Sequence, residues 1–160
     1  MRVISKAAYR LAIKYYVQQF RNHWGWTIIT LLTPAIGSIF VFYAPTLIVA
    51  EVIDKFVAEG VISLSSASIY LLLFAGSWIL GETLWRIGLH YAIKLEVAGI
   101  ENLAGIGFGE LMKRDYNFYS SSFVGSLTKK GLAFARNFEA ITDTLLFNVF
   151  SNIIHLIFSM

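Results

Sequence analysis

Residues 22–50 read NHWGWTIITLLTPAIGSIFVFYAPTLIVA, and the 29 positions between Arg21 and Glu51 hold no Asp, Glu, Lys or Arg. A helix needs about 20 mostly apolar residues to cross the hydrocarbon core of a bilayer. This run is long enough. Two further runs share its character: the 22 residues between Glu59 and Glu82 carry no charge, and neither does the stretch from Thr144 to Met160. The chain as a whole is 57% hydrophobic and 14% charged, where a soluble domain carries about a quarter charged residues. A soluble chain of this size can form one domain, but it cannot hide this much apolar surface. The pattern predicts an all-α membrane protein.

Working outward from the first run, Trp24 and Trp26 stand at its start, where indole rings are enriched at the headgroup level. The first span is expected over about 26–50, interrupted by Pro34 and Pro45, each of which removes a backbone donor and tends to kink a helix. Upstream, Tyr9, Ile13, Tyr16 and Phe20 recur at spacings of three and four, so they share one helix face. Lys6, Arg10, Lys14 and Arg21 occupy a neighbouring face, and the segment has no acidic residue. Such a helix, 1–22, is suited to lie in the membrane interface with its cations towards lipid phosphates; the bland alternative is a solvated helix.

Downstream, 51–68 is expected as a short connection rich in acid and serine. A second span over about 66–94 has no obvious stop, and its helix should run on towards Lys113. At 1.5 Å per residue this gives roughly 70 Å, of which the bilayer core accounts for less than half. A polar and aromatic turn follows at 115–125. The helical pattern resumes near Ser126, and a third apolar run, 144–160, is expected as a span cut short. The segment before the first span holds five basic residues and no acid, and the loop at 51–59 holds one basic residue and three acids. The positive-inside rule then puts the N-terminus in the cytoplasm.

Catalytic motifs are missing. The sequence has no cysteine, no G-x-x-x-x-G-K-[ST] phosphate loop and no H-E-x-x-H. The basic residues flank a membrane run and form no separable domain, so nucleic acid is not an expected partner. Glu82, Arg86, His90 and Lys94 stand at four-residue intervals and form one polar stripe on the second helix. It either lines a water-filled pathway or is solvated beyond the bilayer. Gly105 and Gly109 form a G-x-x-x-G pair suited to packing of long helices. Asn152 and His155 either face a cavity or bond to a neighbouring helix.

The order of these segments resembles the N-terminal half of an ABC exporter transmembrane domain. An interfacial elbow helix leads into a span, then a second span projects far into the cytoplasm, turns and returns. The turn adds motif residues: Lys113-Arg114-Asp115, Phe118-Tyr119, Ser120-Ser121-Ser122, Gly125-Ser126-Leu127 and Lys129-Lys130. It departs from the family in having Lys130 where Arg is usual. The acidic residue expected a turn later is replaced by Phe134 or displaced to Glu139.

The resemblance implies an elbow over 1–22 and a partial transmembrane domain over 23–160. Within the latter, 95–143 would be cytoplasmic extension and coupling turn. It implies a multi-pass protein of the plasma (inner) membrane that moves an unknown substrate. Asp115, Tyr116, Asn117, Phe118 and Tyr119 would contact a nucleotide-binding domain, in the same longer chain or a separate one. A second half-transporter would complete the pathway. The chain itself would need no cofactor and would not hydrolyse ATP; the parent assembly would use ATP and Mg. Two rival classes remain: a small multi-pass scaffold that recruits a cytosolic partner through the same turn, and an intramembrane enzyme using Glu82 and His90.

Overall fold

A computed structural model describes residues 6–60, 64–114 and 124–159. All of its regular structure is helical: α1 (Lys6–Asn22), α2 (Trp24–Ser38), α3 (Ala44–Glu59), α4 (Leu64–Met112), α5 (Val124–Asp143) and α6 (Ser151–Ser159). Two π-helical stretches, Ile39–Tyr43 and Thr144–Phe150, join α2 to α3 and α5 to α6. Three helical runs are long and apolar enough to cross a membrane, Trp24–Ala58, Leu64–Met112 and Gly125–Ile157. The all-α class read from the charge-free runs is therefore the class observed.

The local causes are visible in the sequence. α1 stops at His23, and the Thr27 hydroxyl donates to the Phe20 and His23 carbonyls at 3.0 and 3.1 Å. The His23 carbonyl also accepts the Thr27 backbone N–H at 3.0 Å, so the hydroxyl matters chiefly for the Phe20 carbonyl at the helix end. Pro45 cannot donate a backbone hydrogen bond, so the Val41 carbonyl loses its usual partner. The π-helical stretch sits at this deficit, and the Ala44 N–H reaches back five residues to the Ile39 carbonyl. The connection expected from residue 51 begins later than the charges suggested. α3 continues through Glu59 and ends at Gly60, whose φ of 74° closes the helix in the left-handed region that glycine tolerates best.

The chain forms two compact units, residues 1–27 with 91–145 and residues 28–90 with 146–160. In the first unit, Tyr16, Leu103, Ala135 and Phe138 make a buried core, with Phe20, Ile100 and Phe134 packed around it. The Tyr16 ring stacks on Phe134 at 5.2 Å, and its hydroxyl donates to the Phe134 carbonyl at 2.7 Å. The amide of Asn102 donates to the buried Gln19 at 2.9 Å. α1 is thus fastened to both α4 and α5 through one face. Part of the aromatic face read as lipid-seeking, Tyr16 and Phe20, is covered by protein, because Phe134 and Phe138 supply a matching apolar surface.

In the second unit, α2 and α4 approach through small residues. A Cβ built on Gly37 would stand 2.8 Å from the Gly81 carbonyl oxygen, and one on Gly88 would clash with the Pro34 ring. Close backbone approach of this kind is how helices associate where lipid removes the hydrophobic drive. Gly105, Gly107 and Gly109, by contrast, have nothing within 4 Å of an added Cβ. The G-x-x-x-G pair is not a packing site among the described residues.

Candidate functional site

The polar stripe lies along α4. Arg86 and Glu82 form an ion pair at 3.1 Å, with side chains 75% and 50% exposed. His90 and Lys94 are exposed as well, and the Lys94 ammonium lies 5.4 Å from the centre of the Tyr91 ring. The four residues share one exposed face of one helix. A charged face at membrane depth requires water, a cavity or another polypeptide, and so large an exposed apolar surface also requires a cover. Only 6% of the most apolar window of α4 is buried within the chain.

The residues read as a coupling turn, Asp115, Tyr116, Asn117, Phe118 and Tyr119, lie outside the described residues. Their flanks belong to the first unit. α4 ends at Met112, and the Arg114 N–H bonds to the Leu111 carbonyl at 3.0 Å. Lys113 pairs with Glu110 at 2.7 Å, which holds the Glu110 carboxyl below its ordinary range. Between the end of α4 and the start of α5 lies an apolar groove of about 390 Å³, lined in part by Phe108, Met112, Leu127 and Leu132.

Two polar arrangements escaped the sequence. In the first unit, Glu96 on α4 is half-buried and faces Asp143 and Glu139 of α5. Its Oε1 is buried without a hydrogen-bond partner. Burial, then the charges of Asp143 and Glu139, push its carboxyl up from 4.5 to about 7. As a carboxylate it repels both neighbours, and as a neutral acid it can donate to Asp143. In the second unit, the Tyr43 hydroxyl is 3.1 Å from both the Nδ1 and the carbonyl oxygen of His155, with Phe42 edge-on to the imidazole at 5.4 Å. Of the two alternatives for His155, bonding to a neighbouring helix is the one observed. Tyr43 closes one π-helical stretch, and such stretches are frequent at functional sites. No single-residue spacing announces either pairing, because each partner comes from a distant segment.

Among the described residues, no group of three or more His, Asp or Glu is placed to hold a metal ion. Compared with family models, with curated proteins and with solved structures, the chain matches none.

Proposed function

We propose that this chain is the transmembrane part of an ATP-driven, exporter-type ABC transporter, carrying the elbow helix and three runs able to span the membrane. Its N-terminus faces the cytoplasm, and it works in the plasma (inner) membrane with a nucleotide-binding domain and a second half-transporter. ATP and Mg act on that partner domain. The observation that carries the reading is α4, 49 residues in one unbroken helix. At 1.5 Å per residue it is roughly 70 Å long, more than twice the hydrocarbon thickness. A helix that overshoots the bilayer so far, followed in sequence by Phe118 and Tyr119, suits a protein that receives motion from a partner in the cytoplasm. The exposed Glu82–Arg86–His90–Lys94 face suits a pathway completed by a second half.

The test is the double substitution Phe118→Ala with Tyr119→Ala in the complete transporter. Buried aromatic anchors are worth about 2 kcal/mol or more each. Membrane insertion and ATP binding should persist, while substrate-stimulated ATP hydrolysis and transport fall together. Transport at the wild-type rate would remove the most specific support for this reading. The open apolar groove between the end of α4 and the start of α5 favours the scaffold as a second reading. It gains if the complete gene product retains a cytosolic protein through this turn but hydrolyses no ATP.

A further inference from the structure

The cationic face that the sequence placed beside the aromatic one is the face α1 leaves open. With Tyr16 and Gln19 committed to protein, the opposite face is what remains. At about 100° per residue, Arg10, Lys14 and Arg21 fall within about 40° of arc on that face, with Val17 about 20° and Ile13 about 60° to one side of it. These five side chains line a shallow cavity of about 770 Å³. The three cations are exposed, none forms an ion pair among the described residues, and α1 contains no acid. Ile13 and Val17 are 43% and 49% exposed beside them. Immediately after α1, Trp24 is 69% exposed at the head of the first apolar run, and Trp26 stacks on His23 at 4.7 Å. Exposed indole at the end of an apolar helix marks headgroup depth.

We propose that this outer face of α1 is a binding site for the headgroup phosphate of anionic phospholipids at the membrane surface. The inference rests on the membrane reading above and adds a lipid preference to it. Three cations without a compensating acid favour a headgroup with net negative charge. A zwitterionic headgroup brings its own ammonium group, which opposes them. The two aliphatic side chains beside the cations suit the glycerol and upper acyl region beneath the phosphate. Clustered cations beside a span are attracted to anionic leaflets in this way.

The test uses the full 160-residue chain in detergent micelles with equimolar dioleoylphosphatidylglycerol and dioleoylphosphatidylcholine. Retained lipids are counted by native mass spectrometry. The wild-type chain should hold phosphatidylglycerol in preference. Arg10→Gln with Lys14→Gln and Arg21→Gln should lower that affinity roughly 100-fold, at unchanged helicity by circular dichroism. Arg10→Lys with Arg21→Lys should keep the preference, and so should Lys129→Gln with Lys130→Gln, which remove charge elsewhere. Persistence of the preference in the triple variant would overturn the site. So would its loss in the charge-preserving variant, or an equal loss in the α5 pair. Displacement of the lipid by millimolar inorganic phosphate would make it a free-anion site instead. Recovery of the wild-type chain without detergent would sink the membrane reading itself, a separate outcome.

Discussion

Gly37 and Gly81 stand so close that a methyl group on either would reach the other's carbonyl oxygen, at 2.8 Å from Gly37 and 2.7 Å from Gly81. The obstacle is backbone on both sides, so a rotamer change cannot relieve it. α2 and α4 meet here at the limit that two helices without side chains allow.

Gly81→Ala should therefore destabilise the chain by about 1–3 kcal/mol, the range for overpacking a close contact. Gly105→Ala, in open space on the same helix, should be neutral or stabilising by up to about 1 kcal/mol, because alanine is the better helix former. Thermal unfolding of the detergent-solubilised protein measures both. A Gly81→Ala chain as stable as wild type would mean that α2 and α4 do not pack through these glycines.

The carboxyl group of Glu96 lies in the 95–143 segment read as standing beyond the second span, and it holds its proton up to about pH 7, against 4.5 for an ordinary glutamate. The folded state thus binds this proton more tightly than the unfolded state. Between about pH 4.5 and 7, stability should fall as pH rises, and above pH 7 the loss is complete. Glu96→Gln keeps the shape and a donor for Asp143 but cannot ionise. Melting temperatures of this variant should lose that decline and exceed wild type at pH 8. Parallel pH profiles for the two proteins would show that Glu96 ionises freely in the folded state.

For the stripe, single cysteines at positions 82, 86 and 90 of the assembled transporter should react with small hydrophilic thiol reagents. Those at 84 and 85, whose residues Leu84 and Trp85 are partly covered, should resist. Uniform protection would mean that packing seals the stripe and no aqueous pathway runs along it.

What could be read in advance was local. The charge-free runs and the three-and-four spacing of apolar residues gave α1 and α4 nearly to the residue, because helix formation and bilayer crossing depend on neighbours in sequence. The end of α3 was misjudged because Glu51 and Asp54 looked like a loop. The usable signal was Gly60, the first residue there able to close a helix cheaply. The partners were not legible. Gly105 and Gly109 showed the right spacing for packing but meet nothing among the described residues, whereas Gly37 and Gly81 meet each other without any such pattern. Glu96 against Asp143, and Tyr43 against His155, are likewise pairings between segments. Which helix faces which depends on packing that one sequence does not encode at any fixed spacing. Of the candidate sites, the stripe on α4 was legible because it lies on one helix, and the residues 115–119 fall outside the described part.

The contact between Tyr16 and Phe134 also sets an order of events during synthesis. The two residues are 118 positions apart, and ribosomes add about 5–20 residues per second, so α1 waits roughly 6–24 s for its partner to be made. Through that interval Tyr16 and Phe20 lack the Phe134 and Phe138 rings that pack on them in the finished chain. The first unit can therefore close around Tyr16 only after α5 has been synthesised.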